Sequence, residues 1–565
     1  MEFWHYNKVV GIKINKKLGN TNTSDKLSEF LVGFINIENI TNESRFLEPA
    51  VGAGSFYFAI LNLLIEKEFK IDYIVENMIY AYDIDSKALS VLKSQLKTKY
   101  NYEVNENTKI FNSNFLTEEV KNIKFDYVIT NPPYISNKNI EIDENFNSKE
   151  EYIKFLREQI DKDIATVSDV YMYFKIKCLN LLKDNGLSIF LCSDSWIDSK
   201  FGEVLKNYIL EDDYNLDLLV NSQLYPFFRD DTNAILTIIS KSNKNSTQIV
   251  NLREELSNVD MSKIQSYEIN KKDLKILFKD ESVLNKRNAL ILFYDFYFNI
   301  NNFYLENANK FCKIGEDFTI ETTSLTQNSM LSSNMLTEYN ENLIPVFWQI
   351  QARVNKLPNY KNKIEKEDLV YSVLLENIPE KYQENIKENN FYLSNVIDRF
   401  PLFFNVEEKT FQVSKYFSFL NKNNKHKNFE DISRLLSVYS ILDMELNLKE
   451  GTRKTLRKGE CGLAKEIKKS DLESIRIPKE IDFSKVKLNI ENYSNKVIYN
   501  IENAILDEDY IEIQKHITKE LGLTEKDLVI VIKNLMFLYV LRMRNISKII
   551  NFESYFESLL KKIKI

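Results

Sequence analysis

Cysteine and histidine are scarce in this sequence of 565 residues, and their scarcity excludes several kinds of site. The four cysteines are widely separated and form no Cys-x-x-Cys pair, which argues against a zinc site or a disulfide framework. The three histidines, His5, His426 and His516, leave little for a histidine-based metal centre or for activation of a nucleophile. We therefore expect no resident metal, and a reducing, cytoplasmic location.

Long apolar runs and an excess of positive charge are also missing. The opening residues MEFWHYNKVV contain no apolar core, so we expect no signal peptide. The longest apolar run, residues 528–541, is interrupted by Lys533 and is too short to span a bilayer, so it predicts a buried helix and no membrane anchor. The net charge of −7 excludes a uniformly basic nucleic-acid coat but permits a local basic face.

The chain is too long for one hydrophobic core, and its pattern changes twice. Residues 1–245 alternate short β-like runs with helical patterns, which is typical of a mostly parallel sheet covered by helices. A polar stretch, residues 240–248, marks a boundary, and residues 246–489 are less regular. Residues 490–565 have helical patterns. We predict an α/β domain, a mixed α+β domain and a helical carboxyl-terminal region.

Short apolar runs predict the strands of the first domain, and longer amphipathic runs predict its helices. One helical pattern, residues 170–186, is expected to end at Asn185-Gly186. Other helices are predicted at residues 25–35 and 86–97. The predicted strands are residues 45–48, 78–83, 109–113, 125–130, 187–193 and 234–240.

A glycine-containing turn follows the first predicted strand in EPAVGAGSFYFAIL, residues 48–61. Gly52 and Gly54 allow a tight turn and a close approach of the backbone to a ligand. Glu48 would repel a pyrophosphate at this place, but it suits a ligand that carries an ammonium and a sulfonium. Asp83 ends the second strand, where it can accept ribose hydroxyls, although a dinucleotide would use the same geometry.

Side chains suited to an adenine ring follow the second and third strands. Ile84 offers an apolar face, and Asn114 with Phe115 in NSNFL (112–116) offer an amide and a ring. Core packing is the alternative for Ile84 and Phe115.

The segment TNPPYIS, residues 130–136, follows a buried strand. Asn131 lies where that strand ends, and Pro132 and Pro133 fix φ and remove two backbone donors, which makes the turn stiff. Tyr134 then carries a ring on a short, rigid mount. A tight strand-exit turn is the alternative explanation.

EPAVGAGSF, YDIDSKAL, NFL and NPPY, in this order and each at a strand end, resemble a known family. They are similar to the gamma-type S-adenosylmethionine-dependent DNA adenine-N6 methyltransferases of the TaqI and Eco57I restriction–modification type. The resemblance covers residues from about 18 to 240 and implies a Rossmann-like methyltransferase fold with S-adenosyl-L-methionine as cofactor. It assigns cofactor contacts to Thr23, Glu48, Pro49, Ala50, Gly52, Gly54, Asp83, Ile84, Asn114 and Phe115.

The chain departs from the family pattern twice. Ser24 replaces the usual proline, which leaves the register uncertain between Thr23 and Thr21 for the hydroxyl that holds the cofactor carboxylate. Asn114 replaces the usual aspartate, which keeps an acceptor for the adenine amino group but loses its charge.

The family resemblance also assigns the catalytic roles. The Asn131 side-chain oxygen and the Pro132 carbonyl would accept the two N6 hydrogens of a target adenine and so aim its lone pair at the methyl group. The base must be flipped out of the duplex; the resemblance implies that Pro133 contributes to substrate binding and that Tyr134 stacks on one face of the base. Phe227 fits the opposite face best, with Phe228 and Tyr225 as competitors.

Residues after about 246 are expected to read the DNA sequence. Residues 341–363 interleave aromatic with basic side chains, and residues 449–469 contain eight Lys or Arg against three Glu. Basic residues on a glycine-containing loop suit phosphate contacts, although a solvated charged face is the alternative. The predicted phosphate contacts are Arg453, Lys454, Arg457 and Lys458.

The leading hypothesis is a sequence-specific DNA adenine-N6 methyltransferase that acts as a monomer on double-stranded DNA, with a separate restriction endonuclease as a candidate partner. The motifs begin so near the start of the sequence that no amino-terminal nuclease is expected. The alternatives are a methyltransferase for RNA adenine or protein glutamine, and a non-catalytic DNA-binding module with a decayed site.

Overall fold

The structure is a computed structural model. The chain divides into two compact units, Met1–Phe293 and Tyr294–Ile565. The structure describes residues 23–547, 557–558 and 561–562, except for residues 121–122, 144, 161–164, 167, 212, 223–226, 229–233, 253–265, 280–285, 292–299, 301, 323–328, 331–332, 334, 347–362, 365–370, 385, 389, 395, 398–402, 407, 413–415, 449–464, 497 and 499–500.

A mostly parallel sheet forms the centre of the first unit. Its strands are β1 Phe46–Glu48, β2 Ile79–Asp83, β3 Ile110–Asn112, β4 Phe125–Thr130, β5 Leu182–Ser193, β6 Asn215–Asn221, β7 Ala234–Ser240, β8 Ser246–Asn251 and β9 Ser266–Asn270. Among the described residues the order is β3-β2-β1-β4-β5-β7-β6-β8-β9. The neighbours from β3 to β5 are parallel, whereas β7 is antiparallel to both β5 and β6.

Helices connect these strands, which confirms the predicted α/β class with a mostly parallel sheet. Two helices begin with side-chain caps that satisfy free backbone donors: Ser24 accepts from Leu27 at 3.3 Å, and Asp85 accepts from Lys87 at 2.9 Å. The helices are α1 Asp25–Val32, α2 Ser55–Glu66, α3 Ser86–Tyr100, α4 Lys149–Ile160, α5 Val170–Asn180, α6 Glu203–Leu210, α7 Lys271–Lys279 and α8 Lys286–Ile291, with a short helical turn at Ile71–Tyr73 that leads into a π-helical turn at Ile74–Met78.

The prediction of a single helix over residues 170–186 is wrong at its carboxyl end. Helix α5 ends at Asn180, and the Asn-Gly pair lies within β5. Asn185 has a φ of 62°, its amide donates to the Lys241 carbonyl at 2.8 Å, and the Lys241 amide donates to the Gly186 carbonyl at 2.9 Å. Pairing with the neighbouring segment therefore satisfies backbone groups that a helix would otherwise have paired.

The sheet continues past the predicted boundary after residue 245. Strand β8 pairs in parallel with β6, and β9 pairs antiparallel with β8. The polar stretch at 240–248 thus includes a short connection between two strands of one sheet, and the compact unit extends to Phe293.

The second unit mixes small sheets with helices. Its strands are β10 Phe311–Lys313, β11 Phe318–Glu321, β12 Thr337–Glu338, β13 Ile344–Val346, β14 Lys363–Ile364, β15 Tyr371–Val373, β16 Ile386–Lys387, β17 Asn390–Ser394, β18 Val396–Ile397, β19 Phe403–Val406, β20 Thr410–Phe411, β21 Tyr416–Asn421, β22 Lys465–Glu466 and β23 Arg476–Pro478. Among the described residues, five strands pair as β11-β21-β17-β19-β14 and five as β12-β15-β13-β20-β16.

The helices of the carboxyl-terminal region pack within this second unit. The Tyr510 hydroxyl donates to the Leu436 carbonyl at 2.8 Å, and Gln514 Oε1 accepts from the Val438 amide at 2.7 Å. The helices of the unit are α9 Asn428–Leu435, α10 Val438–Asn447, α11 Lys469–Glu473, α12 Lys487–Ser494, α13 Ile501–Ile505, α14 Glu508–Glu520 and α15 Glu525–Ser547, with short turns at Ile314–Asp317 and Glu380–Gln383.

The long apolar run of the sequence, residues 528–541, lies in α15. Leu528 and Leu535 are fully buried, whereas Ile530 is 51% exposed. Across the described part of the chain, no helix has the length and apolar character needed to cross a membrane.

Candidate active site

The strand order of the first unit reverses between β1 and β4, so the carboxyl ends of these two strands lie side by side. Leu47 of β1 pairs with Tyr80 of β2 on one side and with Val128 of β4 on the other. Glu48 ends β1, and Asn131 follows β4 directly. Open α/β sheets bind ligands in the crevice outside such a reversal, which makes this edge the candidate site.

Glu48 is a buried carboxyl group at this edge and is 1% exposed. Burial raises its pKa well above the ordinary value, and the nearby charge of Asp83 raises it further. Its Oε2 atom is buried and has no hydrogen-bond partner among the described residues. Since a buried acceptor without a partner is costly, this carboxylate fits a ligand that brings a positive charge or a hydrogen-bond donor.

The turn after β1 depends on its two glycines for different reasons. Gly52 has a φ of 53°, and a Cβ atom added there would meet no described atom within 4 Å, so the loop presents open space. Gly54 has a φ of 100°, and a Cβ atom would lie 2.9 Å from the Phe58 ring and 3.0 Å from Leu92. The first glycine thus leaves room for a ligand, whereas the second permits close packing of α2.

Asp83 holds this turn in place. Its Oδ2 accepts from the Gly52 amide at 2.7 Å, and its Oδ1 accepts from the Asp85 amide at 2.8 Å. Burial raises the pKa of Asp83, although these two backbone hydrogen bonds act in the opposite direction. Each carboxylate oxygen has a second lone pair, so a contact with ribose hydroxyls remains compatible with the structural role.

The two apolar residues assigned to the adenine occupy different environments. Ile84 is 56% exposed, which excludes core packing for it. Phe115 is 1% exposed and contacts the rings of Tyr82 and Phe174, with Lys177 Nζ 4.7 Å from its centroid. Core packing, which the sequence left open as the alternative, therefore describes Phe115.

Asn114 makes polar contacts with residues that are distant from it in the sequence. Its Nδ2 donates to Asp143 Oδ2 at 2.9 Å and to the Tyr152 hydroxyl at 3.1 Å, while its Oδ1 accepts from the Leu116 amide at 3.1 Å. Asp143 is 29 residues further along the chain, and sequence reasoning missed it.

A hydrogen bond joins the amino-terminal motif to the NPPY motif. Asn131 Nδ2 donates to Thr23 Oγ1 at 3.1 Å, across 108 residues of sequence. The Thr23 carbonyl accepts from the Ser55 hydroxyl at 3.0 Å, so Thr23 links α2 to the end of β4. Ser24, where the family has proline, is the cap of α1. Thr21 lies outside the described residues.

Contacts with the start of α5 hold the loop that contains the two prolines. Pro132 is buried and Pro133 is half-buried. The Ile135 carbonyl accepts from the Val170 amide at 3.0 Å, and the Asn137 amide donates to Asp169 Oδ1 at 3.0 Å. Asp169, directly before α5, therefore supports this loop.

Aromatic rings surround the end of this loop. The Tyr134 hydroxyl is buried with no hydrogen-bond partner among the described residues, and burial raises its pKa well above the ordinary value. Phe228 meets the Tyr134 ring edge-on, with centroids 6.3 Å apart and an angle of 71°. Phe228 is 6% exposed, whereas Phe227 is only partly buried, and Tyr225 lies outside the described residues.

The predicted phosphate contacts fall outside the described part of the chain. These residues are Arg453, Lys454, Arg457 and Lys458. Most of the aromatic and basic segment at 341–363 also lies outside it.

Comparison with known proteins gives a family match over this site. Residues 52–228 match the model of the Eco57I restriction-modification methylase family. The Type II methyltransferase M.AccI of Acinetobacter calcoaceticus is 27% identical over 225 residues, which are 39% of this chain and 36% of that protein. The Type II methyltransferase M.BstVI of Geobacillus stearothermophilus is 25% identical over 235 residues, which are 38% and 40% of the two chains.

The chain thus spans about two fifths of the length of these curated relatives. Among solved structures, the Type IIL restriction-modification enzyme MmeI in complex with DNA aligns with a TM-score of 0.48 at 10% identity, over 99% of this chain and 76% of that chain. The family match includes Gly52, Asp83, Asn114 and Asn131, while Thr23 and Glu48 precede it.

Proposed function

We propose that the chain methylates the N6 amino group of adenine at specific sites in double-stranded DNA, with S-adenosyl-L-methionine as the methyl donor. The match of residues 52–228 to the Eco57I restriction-modification methylase family supports this proposal. The two curated relatives are both named Type II methyltransferases, which supports a DNA substrate. The second unit, Tyr294–Ile565, is the proposed sequence-reading part of the chain.

The observation that carries this proposal is the hydrogen bond from Asn131 Nδ2 to Thr23 Oγ1. It directs the amide nitrogen towards the amino-terminal segment, and it thereby distinguishes the two ends of the carboxamide. In the proposed reaction the carbonyl end accepts one N6 hydrogen, and the Pro132 carbonyl accepts the other. The target lone pair is then released from the ring and oriented for attack, a gain from positioning and fixed dipoles.

S-adenosyl-L-methionine supplies an electrophilic methyl group when it is bound. The residues of the chain fit this cofactor, because Glu48 offers a buried acceptor for its positive charge and Asp83 ends the neighbouring strand. The open space at Gly52 leaves room for the cofactor beside the turn.

The extruded adenine would stack on the ring of Tyr134. Phe227 is the proposed second face, because it is more accessible than Phe228. Phe228 instead stays in the core as the edge-on support of Tyr134.

The test is a transfer assay with the full chain and S-adenosyl-L-methionine labelled in its methyl group. Unmodified genomic DNA, RNA and a soluble protein extract are offered separately, and the labelled DNA is digested to nucleosides. We expect label in N6-methyladenine at one short sequence. Label in RNA or protein alone, or in a methylated cytosine, would contradict the proposal.

Asn131→Ala provides the matched variant. We expect its transfer rate to fall by at least roughly 100-fold, because the carbonyl contact to the target base is lost. Its affinity for S-adenosylhomocysteine should change by less than about threefold, because Thr23 loses the bond from Asn131 but keeps the bond from the Ser55 hydroxyl. Asn139→Ala, at an exposed position of the same loop, is the control and should keep normal activity.

A further inference from the structure

A carboxylate stands next to the position where the family's aspartate is missing. Asp143 Oδ2 lies 2.9 Å from Asn114 Nδ2, in the loop that joins the NPPY motif to α4. The Asp143 carboxylate is therefore hydrogen-bonded to Asn114, the amide that stands where the family has an aspartate.

The Asp143 carboxylate is held in one orientation. Its Oδ1 accepts from the Asn145 backbone amide at 3.2 Å and from Asn145 Nδ2 at 2.8 Å. Among the described residues Oδ2 accepts one hydrogen bond, from Asn114, so a second acceptor position remains on this oxygen. Burial would raise the pKa of Asp143, but the hydrogen bonds from Asn114 and Asn145 lower it below the ordinary value, which keeps the group charged.

Exposed apolar side chains lie at the same edge of the sheet. Ile84 follows Asp83, whose register partner in β3 is Asn112, two residues before Asn114. Ile142 directly precedes Asp143, and Ile84 and Ile142 are 56% and 45% exposed. An exposed aliphatic side chain can pack on the face of a purine, and a fixed carboxylate can accept from its amino edge.

We propose that Asp143 is a cofactor-binding residue that accepts a hydrogen bond from the exocyclic amino group of the cofactor's adenine, with Asn114 holding its carboxylate in place. This inference rests on the proposed methyltransferase function, and it adds a residue that the family pattern does not supply. Asp143, which lies in a different loop, supplies the negative charge that the missing aspartate provides in the family. Because this loop follows the NPPY motif, adenine binding and the catalytic turn share one segment of the chain.

The assignment has a specific chemical consequence. A carboxylate accepts from the amino group of adenine but is repelled by the oxygen that hypoxanthine carries at the same position. Full-length protein should therefore bind S-adenosylhomocysteine more tightly than S-inosylhomocysteine, by roughly 10- to 100-fold. Titration calorimetry with the two compounds measures this preference without any transfer reaction.

Asp143→Asn should reduce the preference by about tenfold or more, since the new amide can donate to the hypoxanthine oxygen. The double variant Asn114→Asp with Asp143→Asn moves the carboxylate to the family position and should restore the preference. Glu141→Gln removes an exposed carboxylate from the same loop and should leave the preference unchanged.

If Asp143 had a purely structural role, Asp143→Asn would weaken the binding of both compounds equally, and the double variant would not restore the preference. The inference is wrong if Asp143→Asn keeps the wild-type preference, or if the double variant discriminates no better than the single one. Intact discrimination together with failure to methylate DNA would overturn the proposed function and leave this inference standing. Wild-type protein that binds neither compound would overturn both.

Discussion

At the scale of single residues, Glu48 shows how burial prepares a group for a ligand. Burial raises its pKa and leaves Oε2 without a described partner. A cationic ligand would favour the ionised carboxylate, so its binding should release protons, and its affinity should rise with pH as free Glu48 ionises.

Glu48→Gln should therefore weaken the binding of S-adenosyl-L-methionine by about tenfold and abolish this proton release. Calorimetric titrations in buffers with different heats of ionisation measure the number of protons released. Glu66→Gln, at an exposed position at the end of α2, is the control. Equal binding heats in all buffers for the wild-type protein would rule out the coupling.

Variants of Tyr134 can distinguish the contribution of its ring from that of its hydroxyl group. Its hydroxyl has no described partner, while its ring packs beside Phe228. Tyr134→Phe should retain most methyl transfer and should not lower the thermal midpoint, because no described hydrogen bond is lost. Tyr134→Ala should lower the transfer rate by about tenfold or more, since base stacking contributes roughly 1–3 kcal/mol.

Steady-state rates for the two variants check this prediction. A loss of transfer in Tyr134→Phe as large as that in Tyr134→Ala would show that the hydroxyl contributes to the chemistry.

At the scale of elements, a buried ion pair joins two parts of the second unit. Asp317 precedes β11 and accepts from Arg434 Nη2 of α9 at 2.9 Å, and both side chains are at most 10% exposed. Burial alone would raise the pKa of Asp317, but hydrogen bonds from Arg434 and Cys312 and the Arg434 charge lower it to about 2. His426 also contacts Asp317 Oδ2 at 2.9 Å.

Asp317→Asn should destabilise the second unit by about 3–5 kcal/mol near neutral pH, because it removes the carboxylate that pairs directly with the buried Arg434. Since the folded-state pKa is lowered, the stabilisation by Asp317 is present above its ordinary value of 3.8 and is lost as the pH falls towards about 2. Hydrogen exchange of β11 at pH 7 and pH 3 measures both effects.

Glu316→Gln, an exposed neighbour, should have little effect on that exchange. The assignment would be contradicted if the difference in hydrogen-exchange protection between Asp317→Asn and the wild-type protein stayed constant down to the lowest pH.

At the scale of the whole molecule, the proposed DNA interface depends on basic residues of the second unit. Neutralising Arg453, Lys454, Arg457 and Lys458 should lower DNA affinity and reduce the salt slope by up to about 3.6, since each phosphate contact contributes roughly 0.9. Binding isotherms over a range of salt concentrations give this slope.

A control variant with the exposed Lys485, Lys487, Lys519 and Lys526 changed to Gln removes the same charge elsewhere in the unit. An unaltered slope in the first variant, or an equal change in both, would exclude the loop as the specific phosphate contact.

Several features of this protein were determined by the sequence by itself. The apolar runs located β4 and β7 at their observed residues, because strand and helix periodicity is a property of near neighbours along the chain. The order of the motifs at the strand ends placed Glu48, Asp83 and Asn131 on one edge of the sheet, because parallel strands share their carboxyl edge.

Only the tertiary structure decided which of these side chains meet. Thr23 reaches Asn131 across 108 residues, and Asp143 reaches Asn114 across 29. The opposite environments of Ile84 and Phe115 likewise depend on distant packing. Local periodicity specifies a helix or a strand. Contacts between loops depend instead on how the helices and strands pack together, which is determined by the burial of residues that are distant in sequence.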